Sequence, residues 1–291
     1  MNSNKYILWG FARIGTHPRD WWVWQRLMTS VGFFLFSFLP AFRKKKLLRG
    51  KKKTSSMAEW KQKCDSEWKL AAKGVPLPDH VDWKSVYEKK PLERNLLQNP
   101  SPYAGLTHNT PPPERELRER PDPDQPPQCE PTGDFSGWNT STEHLPLDTS
   151  GIPPGVVVCY MPNFSWFSME QQVDLKAEGL WDELLDTFQP DIAVEDWYEE
   201  SQLHASIYEL HVKLLAADGQ TVIKEHTCSP TEDLEVYSHN WKQVSHVFSG
   251  YGPGVRYVHF LHKVKNKFMV EFFDTKVTGT SVVVKATNSS P

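Results

Sequence analysis

The hydrophobic period of the chain changes along its length. Trp60, Cys64, Trp68 and Ala72 recur about every four residues, a helical spacing that Gly74, Pro76 and Pro78 end. Trp83, Val86 and Tyr87 share one face of a second short helix, which Pro91 interrupts. From Gly133 the runs shorten. Residues 156–160 and 207–215 read as apolar strands, and Ala217-Asp218-Gly219-Gln220 reads as a hairpin turn leading into a return strand at 221–227. In 241–248, Val244, His246 and Phe248 fall on one face and Trp241, Gln243, Ser245 and Val247 on the other. The glycines of 250–254 (GYGPG) predict a hairpin turn, with the chain running back over 255–263 and closing through 268–277 and 281–285. Seven or more short strands separated by turns predict an antiparallel β-sandwich. One helix interrupts it: Val173, Ala177, Leu180, Trp181, Leu184 and Phe188 form one stripe, Ser168 and Gln171 form a capping box before it, and Pro190 ends it.

Composition narrows the class. With 12 Trp, 15 Phe and 9 Tyr in 291 residues, the chain is far too aromatic to be disordered throughout. The net charge of −3 hides an asymmetry. Residues 1–56 carry 12 Lys and Arg against the single acid Asp20, whereas the remaining residues hold 21 basic and 35 acidic side chains. The acidic body predicts no nucleic-acid partner. Residues 27–42 are uncharged, and as a helix would span about 24 Å, short of the roughly 30 Å hydrocarbon core. The run RKKKLLRGKKK follows them, the reverse of a cleaved signal peptide, and by the positive-inside rule it keeps the body in the cytoplasm. Residues 1–56 are thus a basic and aromatic extension that is disordered, membrane-associated or foreign to the working protein, with Met57 as a plausible start. Peripheral membrane contact would run through 27–53. In a reducing compartment the four cysteines are free thiols, and the sequons at Asn139, Asn163 and Asn288 go unused. Residues 100–131 hold ten prolines and read as a linker or long loop.

Little chemistry stands out. Glu195, Asp196, Glu199 and Glu200 around Trp197-Tyr198 read as a solvated acidic edge. Lys263, Lys265 and Lys267, spaced by two, read as a solvated strand edge that discourages aggregation. His259 and His262 should face opposite sides of a strand, and no histidine grouping has metal-ligand geometry. No nucleophile elbow, phosphate loop or dinucleotide fingerprint occurs, so the expectation is a protein with no cofactor, no metal and no enzymatic activity.

Several segments, in order, carry a family resemblance. Arg94-Asn95-Leu96-Leu97-Gln98-Asn99-Pro100, Gly137-Trp138, the run 173–200, YELHVKLL at 208–215, VSHVFSGYGPGVRYVHF at 244–260 and VTGTSV at 277–282 resemble the F-box-associated (FBA) domain over about residues 83–285. The resemblance implies a galactose-binding, jelly-roll-like sandwich of about ten antiparallel strands with one or two short helices. On this reading, 57–82 is a short helical lead-in without a complete F-box, 83–286 is the FBA domain and 287–291 is a tail. Members of the family are substrate-recognition ends of SCF-type ubiquitin ligases, and several bind N-glycans of misfolded glycoproteins. The implied function is recognition of a protein or glycoprotein client, with docking of the ligase adaptor in doubt because the F-box is missing. Sugar-binding members use a Tyr-Trp pair between the last strands, where this chain has Phe268 and Met269 after Lys267, with Leu203 and His204 in the neighbouring loop. A Met offers no flat aromatic face to a pyranose, so glycan affinity should be weakened or lost. A second reading, a membrane-associated receptor of cytotoxic cells, would require residues 27–42 to insert.

Overall fold

In the computed structural model the described residues are 56–113, 133–143, 165–201, 205–231, 239–267 and 275–289. They lie in one compact unit, residues 53–291. The expectations for 1–55, for most of the Pro-rich segment, for the strand at 156–160 and for Cys129 and Cys159 fall outside them. Cys64 and Cys228 are free thiols, and burial pushes the Cys64 pKa up to about 11.

Eight strands form two antiparallel sheets among the described residues. They are β1 (Asn139–Thr142), β2 (Phe167–Asp174), β3 (Ile192–Ser201), β4 (Ser206–Leu215), β5 (Val222–Cys228), β6 (His239–Phe248), β7 (Tyr257–Asn266) and β8 (Val277–Val284). The five-stranded sheet has the order β1-β2-β7-β4-β5 and the three-stranded sheet β6-β3-β8. Alternation decides what each sheet buries. β4 turns Tyr208, Leu210, Val212 and Leu214 inward, and β7 turns Val258, Phe260, His262 and Val264 inward. They meet Ile192, Val194 and Tyr198 of β3, Val282 and Val284 of β8, and Val244 and Phe248 of β6. As the sequence predicts, His259 and His262 take opposite faces, and Val244 and Phe248 share the buried face of β6.

Two helices precede the sandwich and share its core. α1 (Met57–Trp68) starts on Ser56, whose hydroxyl accepts from the Glu59 amide at 3.3 Å, and α2 (Trp83–Lys89) starts on Asp82, which accepts from the Ser85 amide at 3.2 Å. Cys64, Trp68, Trp83 and Val86 are buried. The Trp83 ring meets Trp181 edge-on at 4.9 Å, and the indole N–H of Trp181 donates to the Pro76 carbonyl at 3.0 Å.

Four expectations are corrected. The helix over 173–188 is instead the end of β2, a turn and one wide helical turn, Leu184–Phe188. Val173 pairs with Val258, the Asp174 carboxylate takes the amides of Lys176 and Ala177 at 2.9 Å, and Gly179 sits at φ +108°, so no helix can run through. Ser168 and Gln171 are strand residues, not a capping box. The GYGPG segment is not a hairpin turn, because β6 and β7 belong to different sheets. It crosses between them, held where the Gly252 amide donates to Gln189 (3.0 Å) and the Gly254 amide to Asp186 (2.8 Å). Arg256 clamps the same Asp186 with two hydrogen bonds of 2.8 and 2.7 Å, which hold that carboxyl below its ordinary pKa. Lys263 and Lys265 are not at an edge either: β7 is paired on both sides. By contrast, the Asp-Gly turn forms as expected. Asp218 accepts from Thr221 Oγ1, the Thr221 amide and the Gln220 amide, lowering its pKa to about 2.

The acidic run of β3 is corrected as well. Asp196, Glu199 and Glu200 are buried, and Asp196 lies between the sheets. Its Oδ2 accepts from Tyr208 Oη and His262 Nδ1, both at 2.6 Å, and its Oδ1 accepts from Thr280 Oγ1 at 2.7 Å and the Trp197 amide at 3.0 Å. A carboxylate can only accept, so Nδ1 of His262 carries the hydrogen. Burial, then the neighbouring Asp196, raises the Tyr208 pKa well above its ordinary value. Trp138 stacks on His262 at 5.0 Å.

The segment Arg94–Pro100 lies along the free edge of β8. The amides of Glu93 and Leu96 donate to the carbonyls of Val284 and Val282 (2.9 and 2.8 Å), and the Thr280 amide donates to Pro100 (3.1 Å). The Asn95 side chain serves three backbone groups, donating to Thr280 O at 2.8 Å and accepting from the amides of Leu97 and Val282 at 3.0 Å. The strap thereby closes an edge that would otherwise invite another strand.

Removing the Asp196 carboxylate leaves three side-chain donors buried without an acceptor. Asp196→Ala should therefore lose about 3–5 kcal/mol of unfolding free energy in urea titration. A loss below about 1 kcal/mol would show that water replaces the carboxylate. Asn95→Ala orphans three backbone groups at a less buried place and should cost about 2–3 kcal/mol in the same assay.

Candidate functional site

The ladder registers bring four connections to one end of the sandwich. Phe167 pairs with Val264, Ser206 with Asn266, and Ser201 with His239. The connections β1–β2 (143–166), β3–β4 (202–205), β5–β6 (229–238) and β7–β8 (267–276) therefore all leave from the same end. The connections β2–β3, β4–β5 and β6–β7 occupy the opposite one.

Of the five residues expected to contact a ligand, only Lys267 is described. Leu203, His204, Phe268 and Met269 lie outside the described residues. The bases of their two loops are held together. The Lys267 amide donates to the Ala205 carbonyl at 2.9 Å, so the β3–β4 and β7–β8 connections start one hydrogen bond apart. Ala205 reaches this position with φ +46°, a backbone conformation that costs a residue bearing a Cβ. Thr275 Oγ1 donates to the buried Asn266 Oδ1 at 2.8 Å and draws the two ends of the β7–β8 connection together. The adjoining ends of β3, β4, β7 and β8 thus lie at one end of the sandwich, and two short ties join residues there.

Trp166 was not singled out by the sequence. It precedes β2 and lies under the side chains of two lysines of the outer face, with Lys263 Nζ at 4.6 Å and Lys265 Nζ at 4.3 Å from its ring centre. Lys263 also pairs with Glu209 at 2.8 Å. The regular spacing of the lysines was visible in the sequence, but the aromatic group that organises them lies about a hundred residues away in the chain. Near the same end, buried Glu199 meets His239 at 2.6 Å and accepts the Lys276 amide at 3.2 Å, which ties the starts of β6 and β8 to β3.

Among the described residues no group of three or more His, Cys, Asp or Glu side chains could hold a metal ion. No helix among them is long and apolar enough to cross a membrane.

The signature residues hold structure rather than reactive chemistry. Asn95 knits the strap to β8. Asn99 Nδ2 donates to the carbonyls of Asp134 (2.6 Å) and Ser136 (3.2 Å), and its own carbonyl accepts the Trp138 indole N–H at 2.9 Å. Gly137, at φ +84°, approaches Gln98 so closely that a Cβ would lie 2.9 Å from that side chain. Comparison with known proteins agrees with this distribution. The model of the F-box associated region matches residues 87–284. F-box only protein 50 of Danio rerio is 70% identical over 233 residues, covering 80% of this chain and 98% of that protein. The human protein of the same name is 42% identical over 231 residues, 79% of this chain and 76% of its own length. F-box only protein 2 of Bos taurus is 30% identical over 243 residues, 82% of this chain and 74% of its own. Strap, Gly-Trp turn and two-sheet sandwich thus coincide with a family match across most of the chain, which belongs to the F-box associated (FBA) family.

Proposed function

We propose that this protein is a non-enzymatic recognition module whose loop end binds a protein or glycoprotein client, in the manner of the substrate-recognition end of an SCF-type ubiquitin ligase. The observation that carries this reading is the joined root of the β3–β4 and β7–β8 connections, where Lys267 N–H meets Ala205 O at 2.9 Å. Family membership supports it, and the names of the relatives, F-box only proteins, point to ligase assembly. Rigid sheets presenting variable loops at one end are a common arrangement for recognition.

In this reading Phe268 is the aromatic anchor, flanked by Met269 and Lys267, with Leu203 and His204 across the joined root. The Phe268-Met269 pair leaves one ring where a pyranose would be gripped by more, so N-glycan affinity is weak and protein surface supplies most of the client contact. The lead-in helices share the sandwich core, so in this reading they are not themselves the adaptor-binding unit. The module works in the cytoplasm, where clients extracted from the endoplasmic reticulum are presented for degradation.

Two measurements test this. Calorimetric titration of the full chain with the chitobiose core of an N-glycan should give millimolar or weaker binding, and micromolar binding would overturn the weakened-glycan reading. Truncating an aromatic anchor at an interface typically costs 2 kcal/mol or more. Phe268→Ala should accordingly reduce recovery of clients cross-linked to the full chain in cells by about 30-fold. Client recovery equal to the unaltered protein would remove the loop end as the recognition surface.

A further inference from the structure

The sandwich is closed on one flank by the strap on β8, whereas on the other flank two edge strands, β5 of the larger sheet and β6 of the smaller, face each other without sharing a ladder. His226 pairs in register with Val212, and His246 with Val194, both of them buried, so both imidazoles point inward. The rings meet across the seam, stacked with centroids 3.8 Å apart and planes 5° from parallel. Phe248 packs edge-on against His246 at 4.5 Å. Neither imidazole has a hydrogen bond or ion pair among the described residues.

We propose that the His226–His246 stack is an acid-released latch that holds the β5 edge against the β6 edge and lets the seam open when both rings carry charge. A single protonated ring can still stack on a neutral one. Two imidazolium ions 3.8 Å apart repel each other at well under a Debye length, where salt screens them little.

The groups facing the pair make charging harder. Lys224, on the inward face of β5 with its ammonium 2.9 Å from the Ser249 carbonyl, adds positive charge. From β4 the neighbours on this face are Leu210, Val212 and Leu214, and from β3 they are Ile192 and Val194, none of them charged. Cys228 is a free cysteine two residues along β5. Asp196, the nearest carboxylate along β3, already receives four hydrogen bonds. Glu225, Ser245 and Val247 belong to the opposite faces. Partial burial accordingly depresses the pKa of both rings, and for His246 the charges of His226 and Lys224 add to it.

The sign follows from linkage. An unfolded or opened chain, with ordinary histidines near 6.5, binds more protons than the latched one. The latch contributes fully above that pH and is lost as pH falls below it. Because the rings interact, they should titrate as a pair in two steps.

Hydrogen–deuterium exchange of the full chain at pH 7.5 and 5.5, corrected for intrinsic rates, reads the latch. Peptides spanning β5 should open at least 10-fold more at the lower pH, with peptides from the central strand β7 unchanged. His246→Phe keeps a stacked ring but removes one of the charges, and it should abolish the pH response of β5. Equal protection of β5 at both pH values, or an undiminished response in His246→Phe, would overturn the latch. Should that variant fail to fold, imidazole NMR titration of the unaltered chain decides: two independent rings at ordinary pKa values would equally overturn it.

Discussion

The sandwich is organised around a carboxylate that cannot reach water. Asp196 leaves β3 on its inner face and is met there by donors from β4, β7 and β8, that is, from both sheets. Apolar packing between sheets is tolerant of small sliding, since any well-filled arrangement of Val, Leu and Phe removes similar area from water. A buried carboxylate is not tolerant. Displacing one sheet by a fraction of a residue would strand Tyr208, His262 or Thr280, each at a cost comparable to a large share of a domain's net stability. The network therefore fixes the mutual register of two sheets that the hydrophobic effect only holds together. Trp138 from the Gly-Trp turn stacks on His262, which extends the constraint to the strap through the hydrogen bond from its indole to Asn99.

That constraint explains why the family signatures are legible and why they do not reveal a ligand. Asn95, Asn99, Gly137 and Trp138 each satisfy a backbone or packing demand that few other side chains can meet. Such residues identify a fold with high specificity, and they say nothing of what the loops hold. The strands were readable for a related reason: alternation with period two is imposed locally by the pleat, as in β4 and β7. The spacing over 173–188 looks helical, but Val173 obeys a partner, Val258, that lies 85 residues away, and the Asp174 carboxylate takes the amides two and three residues on. The GYGPG segment misled similarly. Glycines announce a change of direction, but not whether the next strand joins the same sheet, and that was decided by β2 and β4 taking both sides of β7.

The acidic residues of β3 show the limit most clearly. In sequence, Glu195, Asp196, Glu199 and Glu200 are a cluster of charge and suggest solvent. In space they separate: Glu195 accepts the Trp197 indole N–H at 2.7 Å, Asp196 bridges the sheets, Glu199 meets His239 and Glu200 meets Lys242 at 3.2 Å. No local pattern distinguishes a carboxylate that caps a solvated edge from one whose donors arrive from three other strands. Of the candidate site the described residues show the root, where the Lys267 amide meets the Ala205 carbonyl, and Trp166 beneath Lys263 and Lys265, which spacing alone could not reveal.

Both ends of the sandwich are tied by carboxylates that take several donors. At the end away from the candidate site, the crossover is clamped by Arg256 on Asp186, the hairpin by Asp218, and the C-terminal segment by Asp191, which accepts from Thr287 Oγ1 at 2.9 Å and Ser289 Oγ at 2.6 Å. Each of these is a carboxylate accepting several donors, a short and directional tie that leaves its loop little freedom. At the other end Glu199 plays the same part for the starts of β6 and β8, taking His239 at 2.6 Å and the Lys276 amide at 3.2 Å, beside the backbone bond at Ala205 and the side-chain bond at Asn266. The bonds at Ala205 and Asn266 thus hold the ends of β4 and β7 in the register that Asp196 sets. The register is set inside, by Asp196 with Tyr208, His262 and Thr280, and the ties at both ends hold the strands that carry it.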